Sequence, residues 1–108
     1  MKKLLASALV LSTMAANVYA GCNATECIGK IDTLYMTATG TLLVGTDGDE
    51  TRLACGGVSS VYVSLKEGDI GKNAMYSLLL TAKTTNKPVK IRVDNTSDCR
   101  VVYITTVD

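Results

Sequence analysis

The chain has 108 residues, a formal charge of +1 and no histidine. Without histidine, the Ser-His and Cys-His arrangements that activate a nucleophile are excluded, and no basic stretch marks a nucleic-acid-binding face. Phe and Trp are also absent, so tyrosine supplies every aromatic ring.

Met1-Lys2-Lys3 opens the chain with two positive charges. An apolar run follows from Leu4 to about Met14, and Val18 and Ala20 put small side chains where a signal peptidase cuts. This is the grammar of a secretory signal, so residues 1–20 are expected to be removed on export to the periplasm or the medium. The run falls short of the ~20 residues a spanning helix needs. Tyr19-Ala20-Gly21-Cys22 is also close to a lipoprotein processing site, which would acylate Cys22 and anchor the chain to a membrane. That would leave an odd number of cysteines in an oxidising compartment, so cleavage after Ala20 without lipidation is the preferred reading.

The mature chain, residues 21–108, is then one domain of 88 residues whose loss of Lys2 and Lys3 takes the formal charge to −1. A domain this small buries only ~60–70% of its unfolded surface, so staples are expected. Cys22, Cys27, Cys55 and Cys99 supply them: an even set in an exported chain reads as two disulfides, for which three pairings are open. The favoured pairs are Cys22 with Cys27, closing a short N-terminal loop, and Cys55 with Cys99, tying the middle of the chain to its last strand. In the chain-entropy model a loop as long as the second stabilises by about 4 kcal/mol. The spacing lacks the paired C-x-x-C knuckles of a zinc site, and the four residues between Cys22 and Cys27 do not fit a redox motif.

Lys30 to Met36 reads as a strand, Thr37 to Gly40 as a turn, and Thr41 to Val44 as a second strand. Asp47-Gly48-Asp49 reads as a hairpin turn leading to a third strand, Thr51 to Cys55. Gly56-Gly57 permits a sharp bend, and Val58 to Leu65 reads as extended. Lys66 to Lys72 is loop. From Asn73, a plausible N-cap, the period becomes helical, with Ala74, Met75, Leu78, Leu79 and Ala82 on one face. Lys83 complements the last turn, and the helix ends near Thr84 or Thr85, ahead of Pro88. Val89 to Val93 alternates apolar and charged residues, Asp94 to Asp98 is a polar turn, and Cys99 to Thr106 is the last strand. The fold class is therefore mainly β with one helix, in strands-helix-strands order. A small five-stranded barrel of the oligonucleotide/oligosaccharide-binding type is the leading specific candidate.

No catalytic, metal or cofactor constellation emerges. The acids fall in turns: Asp47, Asp49 and Glu50; Glu67 and Asp69; Asp94 and Asp98. Asp47 to Glu50 lacks the spacing of a calcium loop. Asn23-Ala24-Thr25 and Asn95-Thr96-Ser97 match the glycosylation sequon but read as polar loop in a bacterial chain. Of the four tyrosines that survive processing, Tyr35, Tyr62, Tyr76 and Tyr103, three are expected in core or half-buried positions, because no other large aromatic is available.

Met75-Tyr76-Ser77-Leu78-Leu79-Leu80-Thr81-Ala82-Lys83, then Asn86-Lys87-Pro88-Val89-Lys90-Ile91-Arg92-Val93, then Asp98-Cys99, resembles the pentamer-forming, receptor-binding B subunits of bacterial toxins, nearest to the subtilase-cytotoxin type. Cys27-Ile28-Gly29-Lys30 also resembles the Cys-x-Gly-Lys start of small secreted proteins from marine and enteric bacteria. The helix-strand segment covers about a quarter of the mature chain. The resemblance implies the oligosaccharide-binding barrel, assembly as a homo-oligomer, and recognition of a glycan or protein surface without catalysis. It carries over no sugar-binding residues. The rival expectation is a periplasmic interaction or inhibitor protein that acts through strand edges or loops.

Overall fold

The structure, a computed structural model, describes residues 20–96 and 98–107. The expected signal peptide, up to Tyr19, lies outside the described residues. Six strands and one helix follow in the order β1 (Gly21–Cys22), β2 (Glu26–Met36), β3 (Leu42–Thr46), β4 (Val63–Leu65), α1 (Lys72–Thr84), β5 (Pro88–Val93) and β6 (Val101–Thr106). Among the described residues the chain is thus mainly β with one helix, as its periodicity predicts.

All strand pairs are antiparallel, in the sheet order β4-β3-β2-β5-β6, with β1 added beside β2. The long β2 organises the molecule. Its first half, from Glu26 to Lys30, pairs with β5, and from Ile31 on it pairs with β3. A register shift between Ile31 and Thr33 interrupts the pairing with β3 after its first residue pair. The ends of the sheet also meet. Ser64 in β4 forms an isolated parallel bridge with Arg100, and its N–H donates to the Cys99 carbonyl at 2.9 Å.

The core is aliphatic. Leu42, Val44, Val63, Leu65, Leu79, Val89, Ile91 and Val93 fill it together with the cysteines. β5 buries Val89, Ile91 and Val93 and turns Lys90 and Arg92 outward, following the period of two. α1 presents Leu79 and Ala82 to this core, with Met75 one turn earlier packed against it, while Ala74 stays on the solvent side. Among the described residues no tyrosine is buried. Tyr35 (49% exposed), Tyr103 (41%) and Tyr76 (37%) are on the surface, and Tyr62 is half-buried. This corrects the expectation that three of the four would be buried or half-buried. Aliphatic side chains fill so thin a core without a hydroxyl that would need a partner.

The middle of the chain departs furthest from its pattern. The expected strand Thr51 to Cys55 is a 3-10 turn, Glu50–Arg52, followed by bends. The Asp49 carboxylate caps that turn by accepting from the Thr51 N–H and hydroxyl, and Glu50 folds back onto Thr46 instead of pointing outward. Val58 to Tyr62 is likewise a tight turn, closed by Val58 N–H to the Tyr62 carbonyl (2.7 Å) and Tyr62 N–H to the Val58 carbonyl (3.0 Å). Ser59 and Ser60 both adopt positive φ there, so extended structure begins only at Val63. The helix cap also differs. α1 starts at Lys72 behind Gly71, whose φ of 81° turns the chain into the helix without a side-chain cap, and Asn73 lies inside the first turn. The last strand starts at Val101, because Cys99 is itself left-handed at φ 49°.

Two disulfides staple this frame. Cys22 bonds Cys27 across five residues, and Cys55 bonds Cys99 across 44. The long one fastens the bent middle segment to the point where β4 meets the residues leading into β6.

Candidate binding groove

The outward face of β2, β3 and β4 carries a concave surface. Its rows follow from register. Tyr35 stands opposite Leu43, which stands opposite Ser64, and Thr33 stands opposite Gly45. Gly45 sits inside a strand, where a missing side chain often marks a close approach. Here that neighbour is Tyr62: a Cβ on Gly45 would lie 3.5 Å from the Tyr62 ring and 3.3 Å from the Val61 carbonyl. The Val58–Tyr62 turn therefore lays Tyr62 over β3. Its ring meets Tyr35 edge to face, with centroids 6.0 Å apart.

Two hollows lie on this face, and of the pair Tyr62 lines the larger. One, of about 440 Å³, is lined by Asp32, Thr33, Thr46, Asp47, Glu50 and Tyr62, with Gly45, Gly48 and Val61 completing it. The other, of about 220 Å³, has Leu43 and Val58 beside Thr37, Thr39, Thr41, Ser64, Lys66 and Asp98. The residues come from the β2–β3 turn, from β3 and β4, and from the loop before β6. Together they offer hydroxyl groups, the partly exposed Tyr62 ring and a few charges, a mixture suited to ligands that are polar at their edges and apolar on their faces.

The charges are largely committed within the protein. Glu50 is only 3% exposed, and its Oε2 accepts from the Thr46 N–H (2.8 Å) and the Thr46 hydroxyl. This corrects its assignment to a solvated turn. Asp47 Oδ1 accepts the Lys30 N–H at 2.9 Å. In the second hollow, Lys66 and Asp98 form an ion pair at 3.6 Å. Both are well exposed, so the pair orders the rim more than it stabilises the fold. Behind this rim, Asp69 accepts from the Arg100 guanidinium through both carboxylate oxygens and from the Lys66 N–H at 2.8 Å. The Arg100 hydrogen bond, with smaller help from the Lys66 N–H and both cations, holds the Asp69 carboxyl below its ordinary range against the opposing effect of burial.

Sγ of Cys22, Sγ of Cys27 and a Glu50 carboxylate oxygen lie within 4.8 Å of one another. The two sulfurs are bonded to each other, so this cluster presents no thiolate to a metal. Lipidation of Cys22 would require the same sulfur. Asn23 Oδ1 accepts the Thr25 and Glu26 N–H groups and so shapes the loop that this disulfide closes.

Ligand contacts are not assignable from the sequence pattern. Tyr35 and Tyr62 gave no periodic signal, because one is outward on a strand that changes parity and the other stands on a turn. Gly45 within Leu42-Leu43-Val44-Gly45-Thr46 was the available clue.

A scan against protein-family models, a search of curated proteins and a search of solved structures each return no match to this chain.

Proposed function

We propose that the protein is an exported, non-enzymatic binding module of the oligonucleotide/oligosaccharide-binding barrel type, and that a glycan chain occupies the groove over β3. Several features support the barrel reading: a meander of β2, β3 and β4, a helix between β4 and β5, a β2 shared between both walls, and the parallel bridge of Ser64 with Arg100 that brings the sheet round. In such barrels the face of the second and third strands and the flanking loops bind ligands. Counting the barrel strands from β2, that face is β3 and β4, with the Thr37–Thr41 turn and the loop before β6 beside it. The observation that carries the proposal is the Tyr35–Tyr62 pair on that face, with Tyr62 lining the larger hollow beside Thr33 and Thr46 and a second hydroxyl-bearing hollow on the same face. Two oxidised cysteine pairs suit an exported chain, and among the described residues no helix is long and apolar enough to cross a membrane.

The reading is tested with the oxidised, exported protein on a glycan array, beside Tyr62→Ala and Tyr35→Ala. Binding to a defined set of glycans that both substitutions abolish would support it. No signal above background on any glycan would refute it.

One observation favours a protein partner instead. Among the described residues no strand pairs with the outer edge of β6, and Val101–Thr106 (VVYITT) carries no charge and no proline along that edge. Such an edge accepts an added strand. A stoichiometric periplasmic protein captured by the wild type and lost on Ile104→Pro, with no glycan signal, would favour this second reading.

A further inference from the structure

Within the groove proposed above, the larger hollow is selective by its supply of hydrogen-bond donors. Three of the backbone N–H groups that border it are already used. Thr46 N–H donates to Glu50, Asp47 N–H donates to the Lys30 carbonyl at 3.1 Å, and Gly48 N–H donates to the Thr46 hydroxyl oxygen at 3.1 Å. The Thr46 hydroxyl proton is spent on Glu50 as well. Thr33 and Tyr62 alone among the lining side chains retain a hydroxyl donor outside these bonds. Acceptors, by contrast, are plentiful. Asp32 and Asp47 present carboxylates, which only accept, Asp47 with its Oδ1 already holding the Lys30 N–H and its second oxygen left over.

Two cations stand near. Lys83 Nζ donates to the Asp32 carbonyl at 3.1 Å, and Lys30 is next to Asp47, whose N–H donates to the Lys30 carbonyl and whose Oδ1 accepts the Lys30 N–H. Neither lines the hollow, and among the described residues neither forms an ion pair with Asp32 or Asp47. In the second hollow Lys66 already faces Asp98. A carboxylate or sulfate entering the larger hollow would lose its hydration and meet acceptors. A ligand rich in hydroxyl or ammonium donors would find partners at once.

We infer that the groove takes a donor-rich oligosaccharide, neutral or bearing free amino groups, and rejects acidic glycans. This inference rests on the glycan reading above, and the experiment separates the two. Three tetrasaccharides are titrated into the exported, oxidised protein by calorimetry at low salt: an N-acetylglucosamine tetramer, a fully de-acetylated glucosamine tetramer, and a galacturonic acid tetramer. Tyr62→Ala and the double variant Asp32→Asn with Asp47→Asn are measured beside the wild type.

The expected order is glucosamine, then N-acetylglucosamine, with the acidic tetramer at least about tenfold weaker than either, since a hydrogen bond to a charged group is worth roughly one decade of affinity. The double variant should weaken the glucosamine tetramer about tenfold and leave the N-acetylated one within about twofold, on the same reasoning. The acidic tetramer binding as tightly as the others, with Tyr62→Ala abolishing all three, would overturn the donor-rich inference and leave the groove standing. Affinities unmoved by both variants would overturn the inference by placing the site elsewhere. Absence of binding to all three, with no other neutral or amino glycan binding on the array, would overturn the glycan reading itself.

Discussion

The segment from Asp47 to Gly71 and the segment from Lys72 to Thr106 contrast in what holds them. The second is built from period. Its helix and two strands bury residues at regular spacings, and the structure follows the alternation of Val89, Ile91 and Val93 residue by residue. The first is built from individual side chains. Glu50 reaches back to Thr46, Asp49 caps Thr51, Asp69 clasps Arg100, and Cys55 is bonded to Cys99. Periodic burial spreads stabilisation over many small contacts, whereas a side-chain-held loop concentrates it in a few bonds. The aromatic part of the groove rests on the loop-built segment, which positions Tyr62.

That contrast can be broken most directly at the bond joining the two segments. Replacing both Cys55 and Cys99 by Ala should cost about 4 kcal/mol of unfolding free energy, because the cross-link closes a loop long enough to restrict the unfolded chain strongly. Denaturant melts measure it. Replacing Cys22 and Cys27 should cost roughly 2 kcal/mol, since that loop is short, and equal losses from both pairs would contradict the chain-entropy account.

Within the periodic segment, Leu79→Ala should cost about 3 kcal/mol, as a wholly buried leucine leaves a cavity. Within the loop-built segment, Glu50→Ala should cost about 2 kcal/mol by stranding the buried Thr46 N–H. Glu50→Gln, which keeps a carbonyl acceptor, should recover part of that loss. The sharper distinction lies in the tyrosines. Glu50→Ala should loosen Tyr62 and raise its accessibility to iodination, and Leu79→Ala should not.

The smallest effect concerns acid. The folded-state pKa of Asp69 is lowered, chiefly by its hydrogen bond with Arg100. Its contribution is therefore whole above the ordinary carboxylate value of 3.8 and is lost as pH falls below that toward the folded value. Asp69→Asn should be less stable than wild type at neutral pH, and the gap should narrow in melts taken below pH 4.

The same contrast explains what could be read from the sequence. The helix-strand-strand order from residue 72 on was legible because Leu79, Ala82, Val89, Ile91 and Val93 obey one period each. The even cysteine count pointed to two disulfides. Thr51 to Cys55 and Val58 to Tyr62 misled, because Thr, Leu, Val and Tyr favour strands locally, while capping by Asp49 and positive φ at Ser59 and Ser60 override that preference. The groove was out of reach for the same reason: its key ring stands on a turn and its other ring follows an irregularity in β2.

That irregularity has a consequence of its own. Before it, odd-numbered residues of β2 point inward: Cys27, Gly29 and Ile31. After it, even-numbered Leu34 packs against the core, and Thr33 and Tyr35 look out. The face on which Tyr35 stands is therefore a matter of counting, decided by the one extra residue at Asp32. Removing that residue leaves every other side chain of the strand chemically intact and reverses the assignment of all that follow, sending tyrosine toward the interior and leucine into water. The groove is thus written as a frame as well as a composition, and a single in-frame codon deletion would erase it more thoroughly than most substitutions.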